Sequence, residues 1–282
     1  LQKYFKNLGS QYNDSSGIIV GPGDDSGLFL ANKSDLIFST DVSNADIHFP
    51  KTLAPNLIAY RACCVAASDI PACGGTLKWL SIGLVTPSKE LAWLKDFARG
   101  LKLFTKTYQV PIIGGDLVKG RECSVSVGVC GEVNHKEFIS RNGAKVGDSI
   151  YVSGVLGTAK LGLKVIQSKK KNLNVEEKKH AKKFLQPKVH TLLGKNLRNI
   201  ASSCIDISDG LLGDLSHICQ QSNLGAEINI DLIPYKGPFK DALTWGDDYE
   251  LCFTVPKNKE LKLSQLCKKL KFKKFKIGEM TS

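Results

Sequence analysis

Two hydrophobic periods alternate along the first half of this chain, and that alternation constrains its fold more than any other feature. "SVSVGVCGEV" places Val125, Val127 and Val129 on one face at period two, as in a half-buried strand. "ELAWLKDFARGLKLFTKTY" instead carries Leu91, Leu94, Phe97 and Leu101 along one helical stripe. "SDLIFSTDV" and "LKWLSIGLVTP" read as further strands, and "VPIIGGD" as a strand running into a glycine turn. "APNLIAYRACCVAASDIPACGG" reads as a helix entered at Pro55 and closed by Pro71 and Gly74-Gly75. Its small residues Ala59, Ala62, Cys63, Ala66 and Ala67 suit close packing on a sheet. Strands interleaved with helices place the chain in the α/β (α+β) class.

A polar stretch with glycine turns, "NHKEFISRNGAKVGD", interrupts the pattern and marks a domain junction. The expected domains are residues 1–136 and 137–282, and 282 residues are enough for two cores. The second half restarts with the strand "SIYVSG". "CIDISDGLLGDLSHICQQSNLG" then reads as a short strand entering a helix with apolar Leu211, Leu212, Leu215 and Ile218, stopped by Gly225.

Composition narrows the class. Hydrophobic residues make up 42% and charged residues 23%, as in soluble globular proteins. The most apolar helix-like run, "LIAYRACCVAA", is short and carries Arg61, so no membrane span is expected. "LQKYFKNLGS" lacks the apolar core of a signal peptide. The nine cysteines form no paired C-x-x-C units, which argues against zinc fingers and disulfide frameworks and fits a reducing cytoplasm. The net charge of +12 comes largely from "QSKKKNLNVEEKKHAKKF" and "KNKELKLSQLCKKLKFKKFK". Both read as solvated lysine-rich faces, and no nucleic-acid partner is expected.

The acidic residues carry the functional signal. "GPGDDSGLF" sets Asp24 and Asp25 side by side behind a Gly-Pro-Gly turn. Two carboxylates about 5 Å apart repel by roughly 3 kcal/mol at an effective dielectric near 20. Water in an ordinary turn offsets that; so does a divalent cation. Asp24, Asp41, Asp116 and Asp206 each follow an apolar strand-like run, directly or across a glycine turn. Asp69 closes a helix, where the dipole disfavours a carboxylate. Any one of them reads as a turn or cap residue, but strand ends in α/β folds are where ligand sites gather. With the Ser39 and Thr40 hydroxyls, the donors are all hard oxygens, which select magnesium, and magnesium held by carboxylates usually carries nucleotide phosphates. There is no Walker loop and no Rossmann glycine spacing. Direct phosphate donors are sought instead in "SDGLL", where Ser208 and Gly210 open a helix, and in Gly114-Gly115. "SGVLGTAKLGL", with Gly154 and Gly157, is of similar type and reads equally well as a structural turn.

Taken in order, "GPGDDSGLF", "STDVSNADIHF", "AASDIPACGG", "IIGGDLVKG", "SRNGAKVGDSIYVSG", "IDISDGLLGDLSHI" and "GDDYELCFTVP" resemble the motif series of the thiamine-monophosphate kinase family, within the superfamily of aminoimidazole ribonucleotide synthetase and selenophosphate synthetase. The resemblance covers nearly the whole chain. It implies ATP-dependent phosphorylation of thiamine monophosphate to the diphosphate, with several magnesium ions. It also implies an N-terminal metal- and ATP-binding domain whose sheet forms a barrel across a homodimer, and a C-terminal mixed sheet with helices closing over the site. Asp24, Ser39, Thr40, Asp41, Asp69, Asp116, Asp206 and Asp209 match metal positions; Gly115, Asp116, Arg141 and Ser208 match nucleotide contacts; His48 and Asp247 match thiamine-side contacts. Asp206, Asp209 and Arg141 are expected near the transferred phosphate, with no dedicated catalytic base.

Two departures stand out. Relatives usually continue beyond "KIGEMTS" with a strand and an aromatic-bearing tail that stacks near the substrate, so a shortened C-terminus is expected. Ala98, in a "FARG" turn, takes the place of a tyrosine near the nucleotide. Other readings stay open: a superfamily enzyme with a different acceptor, of aminoimidazole ribonucleotide synthetase or selenophosphate synthetase type, and, more remotely, a basic nucleic-acid binder.

Overall fold

The strand patterned on Val125, Val127 and Val129 lies at the centre of an N-terminal sheet, with those three side chains 0–1% exposed. The computed structural model describes residues 9–20, 28–29, 35–88 and 90–282. Short pieces come first: helix α1 (Asn13–Ser16) and the paired strands β1 (Ile18–Val20) and β2 (Leu28–Phe29). The main N-terminal elements are β3 (Asp35–Asn44), helix α2 (Pro55–Ala72), β4 (Thr76–Thr86), helix α3 (Leu91–Tyr108), β5 (Ile112–Lys119) and β6 (Ser124–Val133). The four-stranded sheet runs β3-β6-β4-β5, antiparallel except for the parallel pair β4–β5.

The small residues of α2 are buried as expected, Ala59, Cys63, Ala66 and Ala67 all at 0%. Close approach shows at Gly131 of β6, where an added Cβ would meet Ile70 Cγ2 at 2.5 Å. Pro71 falls in the last turn of α2 and the helix ends one residue later. Leu91, placed on the apolar stripe of α3, is 52% exposed, whereas Phe97 and Leu101 are buried.

Gly114-Gly115 is not a turn. Both residues lie inside β5, paired with Ser81 and Ile82. A Cβ at Gly115 would meet the Ile82 carbonyl oxygen at 2.2 Å, so glycine is required there by the neighbouring strand. "FARG" is likewise the interior of α3, with Ala98 buried.

A second unit comprises Pro71–Gly75 and Lys136–Ser282, the first comprising residues through Ile70 with Thr76–His135. Its elements are β7 (Ser149–Val152), α4 (Thr158–Gln167), α5 (Val175–Leu185), α6 (Thr191–Leu197), β8 (Ser203–Asp206), α7 (Leu211–Ser222), β9 (Gly225–Ile228), α8 (Phe239–Thr244), β10 (Leu251–Val255), α9 (Glu260–Leu270) and β11 (Phe275–Thr281). Five strands run in the order β8-β10-β7-β11-β9. The expectation of a mixed C-terminal sheet is corrected here: all four described pairings are antiparallel, and the mixed sheet is the N-terminal one. Both faces are covered, which explains why "LCFTV" is buried along its whole length. Ile150, Val152, Ile205 and Cys252 pack with Leu211, Leu215 and Ile218 of α7. Tyr151, Leu251, Phe253 and Val255 pack with Leu193, Leu197 and Leu263 on the other side. Helix α7 stops at Asn223 in the left-handed conformation (φ 53°), two residues before the glycine expected to stop it, and Leu212 on its outer face is exposed.

Candidate active site

Strand alternation divides the N-terminal candidates between two faces. Ser39 and Asp41 share the face of β3 whose neighbours on β6 are the buried Val129 and Val127. Asp69, in the last turn of α2, accepts a hydrogen bond from the Ser39 hydroxyl at 2.5 Å. Burial, and after it the neighbouring Asp69 charge, pushes the Asp41 carboxyl up to about 6. Thr40 points to the opposite face and is exposed. Asp116 pairs with Gly83, in the row that continues to Ser126 and Val42, and so lies on the Thr40 face. It stands three strand spacings from β3, about 14 Å. The sheet therefore brings together Ser39, Asp41 and Asp69, and separates Asp116 from them. Asp24 lies outside the described residues. His48 is exposed in the loop after β3, and its Nδ1 accepts the Asn44 N–H at 3.0 Å. A neutral ring so held carries its proton on Nε2.

In the C-terminal unit two acid-bearing loops are zipped by their main chains. Asp247 N–H donates to Ser208 O (2.9 Å), Tyr249 N–H to Ile207 O (2.9 Å), and Ile207 N–H to Glu250 O (2.7 Å). These bonds continue the Leu251–Asp206 pairing of β10 and β8 beyond the sheet and set Asp206, Ser208, Asp209 and Asp247 along one edge. Asp206 is buried, Ser208 and Asp247 are half-buried, and Asp209 is exposed. Asp247 and Tyr249 both adopt positive φ (67° and 48°), and the Tyr249 hydroxyl donates to Asp247 Oδ1 at 3.1 Å.

The helix start after Ser208 is already occupied from within. Asp214 Oδ2 accepts the N–H groups of Asp209 (3.0 Å) and Gly210 (3.1 Å), so those donors are committed to a carboxylate of the same chain. Burial pushes the Asp214 carboxyl up to about 6. The start of α4 is capped in the same way, by Asp248: Oδ2 accepts Gly157 N–H (2.5 Å) and Oδ1 accepts Ala159 N–H (3.1 Å). That resolves the acid pair in "GDDYEL", since Asp248 is a buried cap and Asp247 is left on the site edge. Burial also lifts Asp248, from 3.8 to about 6. The folded state thus holds a proton on Asp248 that the unfolded state has released. This group's contribution to stability is complete below about pH 4 and declines as pH rises to about 6. Asp248→Asn is expected to remove that slope in pH-dependent denaturant unfolding. It should also cost about 1–3 kcal/mol, because an amide nitrogen then faces the Gly157 N–H.

Arg141 lies elsewhere. Its carbonyl accepts the Ser222 hydroxyl at the far end of α7, while Ser208 and Asp209 flank the start. Twelve helical residues separate the two ends by about 17 Å, more than an arginine side chain spans. Arg141 and Asp209 are therefore not brought to one phosphate oxygen within this unit.

Among the described residues, no cluster of three or more His, Cys, Asp and Glu side chains could hold a metal ion. Asp41 and Asp69 form one carboxylate pair, hard oxygen donors of the kind that magnesium takes beside water and phosphate oxygens. Sequence reasoning missed Asp214 and Asp248, each of which caps a helix start it is brought to by the fold; only Asp214, in the first turn of its own helix, left a local signal.

The AIR synthase related protein family matches the chain twice, its N-terminal domain over residues 23–133 and its C-terminal domain over residues 145–282. The chain is similar to the thiamine-monophosphate kinase of Buchnera aphidicola subsp. Schizaphis graminum, at 37% identity over 100% of this chain and 90% of that one. It is similar to that of Escherichia coli K12 at 37% identity over 91% and 81%. Its structure is similar to the thiamine-monophosphate kinase of Stenotrophomonas maltophilia K279a, with TM-score 0.90 and 30% identity over 98% of this chain and 92% of that one. AaThiL complexed with AMPPCP and TMP superposes with TM-score 0.81 at 29% identity, over 100% and 92%.

Proposed function

This chain belongs to the thiamine-monophosphate kinase family of AIR synthase related proteins, and from that premise we propose how its own residues serve the reaction. It is a kinase that transfers a phosphoryl group from ATP to thiamine monophosphate, giving thiamine diphosphate and ADP. The observation that carries this is the 37% identity to such kinases along 91–100% of the chain. Purified protein given both substrates and magnesium should form thiamine diphosphate, followed by chromatography. No product across a full magnesium titration would overturn the assignment.

The acceptor phosphate is already anionic near neutral pH, so no strong base is needed; positioning and charge neutralisation remain. Asp24, Ser39, Thr40, Asp41, Asp69, Asp116, Asp206 and Asp209 are the proposed magnesium ligands. The fit rests on donor chemistry: Asp41 and Asp69 are close enough to repel, and their surroundings offer hard oxygen donors. When bound, magnesium neutralises and orients the phosphates. The Thr40 side chain faces away from Asp41, on the side of the sheet that also carries Asp116. Gly115, Asp116, Arg141 and Ser208 are the proposed nucleotide contacts, Arg141 at the end of the nucleotide remote from the transferred group. His48, through Nε2–H, and Asp247, through its carboxylate, are assigned to the thiamine substrate.

The homodimer is supported by an open sheet face. Leu36 (42% exposed), Phe38 (63%) and Val42 (47%) of β3 lie on one side of the sheet, and Val118 (49%) of β5 is exposed as well. A second copy of the chain is the proposed occupant, and the face it covers also carries Thr40 and Asp116. Phe38→Asp is expected to shift the protein to a monomer in sedimentation; a retained dimer would reject this face. No helix among the described residues is long and apolar enough to cross a membrane. The nine free cysteines, seven of them buried, fit the reducing cytoplasm we propose as its location.

A further inference from the structure

The lysine-rich helix α5 turns one lysine inward. Lys183 Nζ pairs with Glu250 Oε1, and His190 Nε2 lies 2.9 Å from Glu250 Oε2. The Ser153 hydroxyl donates to Oε2 at 2.5 Å and itself accepts the Leu251 N–H at 2.8 Å. Glu250 and His190 are 7% and 4% exposed. The space is made by a glycine, since a Cβ on Gly154 would lie 2.4 Å from the Glu250 carboxyl carbon. Burial opposes the charge on Glu250, but Lys183 and His190 outweigh it and hold the carboxyl well below its usual range.

A buried ion pair is weak evidence for stability, because apolar residues packed in its place often do as well. Its location is more informative. Glu250 is the residue between the loop Asp247–Tyr249 and strand β10. Two residues of that loop hold positive φ without being glycine, a conformation that persists only where the surroundings over-determine it. The Glu250 main chain also accepts the Ile207 N–H, one of the three bonds joining this loop to Asp206–Asp209. The side chain is thus fixed from α5, from His190 and from the end of β7, while the backbone holds both acid loops.

We propose that Glu250, fixed by Lys183 and His190, is a positioning residue for phosphoryl transfer: it clamps the two zipped loops that present Asp206, Ser208, Asp209 and Asp247. The proposal rests on the kinase reading for the role of those four residues. The clamp itself can be tested apart from it.

The test compares the full chain with Glu250→Gln and with the charge-balanced pair Lys183→Met/Glu250→Gln. Amide hydrogen exchange is read without substrates or metal. Peptides covering residues 204–215 and 244–252 are expected to exchange roughly tenfold faster in both variants, with β4 and β6 unchanged. In the assay kcat should fall about 10- to 100-fold in both. The double variant should recover most of the melting temperature lost by the single one, since Lys183 is no longer buried unpaired, yet remain slow. Wild-type exchange in the two segments would overturn the clamp, as would a kcat that recovers together with the melting temperature. The double variant carries the test if Glu250→Gln does not fold. An unmutated chain that makes no thiamine diphosphate would remove the kinase reading, and the exchange result would still decide the clamp.

Discussion

Asp69→Asn is expected to lower kcat/KM for thiamine diphosphate formation by roughly 10²–10³-fold and to leave the metal-free protein slightly more stable than the original. The two effects share one cause. Asp69 is held against the Ser39 hydroxyl and within electrostatic range of Asp41, whose carboxyl it helps to lift. The bond from Ser39 does not require the charge of Asp69, because an asparagine Oδ1 still accepts it. Removing the charge relieves Asp41 by a few tenths to about 1 kcal/mol, a modest gain because Asp41 is only part-buried and screened. It also removes one of the six carboxylates proposed as magnesium ligands, the one beside Asp41, so half-maximal activity should need more magnesium. Thermal unfolding in chelator, paired with a magnesium titration of the rate, reads both effects. A melting temperature that drops with the activity would make Asp69 a structural residue.

The pairing of Ser39 and Asp41 with Asp69 also shows what was legible in the sequence. Period two in "STDV" places Ser39 and Asp41 on one face, and the small residues of "AYRACCVAASD" bring a helix close to it, so this contact could be anticipated from local pattern and packing. Asp116 could not be placed this way. "IIGGD" reads as a strand with a turn, and only the parallel partner β4 shows that Gly114-Gly115 stays extended, carrying Asp116 to the opposite face and three strands away. The same limit hid Lys183. Seven lysines in "QSKKKNLNVEEKKHAKKF" look alike in sequence, and the one turned inward is selected by Glu250, sixty-seven residues later. Asp248 was missed for the same reason, because the helix start it caps lies ninety residues upstream. Arg141 and Ser208 match neighbouring roles in the motif series, but α7 stands between them. Local pattern therefore indicated which residues are candidates for the chemistry and which elements hold them. Long-range pairing decided which carboxylates cap helices and which stay at the sheet edge.

That long-range pairing is vulnerable at Gly246, and Gly246→Ala should break it. A Cβ at Gly246 would sit 1.5 Å from the Ser208 carbonyl oxygen, a main-chain atom that cannot swing aside. An ordinary carbon–oxygen contact needs about 3.4 Å, so one loop must move by about 2 Å. The bond from Asp247 N–H to Ser208 O is the first to be lost, and Ser208, Asp209 and Asp247 shift with it. A misplacement of that size at a site that works by positioning is expected to lower kcat/KM by about 100-fold or more. Overpacking with the lost bond adds about 2–3 kcal/mol of destabilisation. Gly213→Ala, one turn into α7, is the matched control: its Cβ would meet only Asp209 Cβ at 3.8 Å, an ordinary contact. Replacing glycine by alanine within a helix there should be neutral or stabilising by up to about 1 kcal/mol, with activity retained. Both variants add one methyl group beside the same loop, so a difference in rate between them, measured well below either melting temperature, isolates the geometry of the zipped segment. Equal activity of the two would mean that the spacing between Ser208 and Asp247 does not govern the transfer.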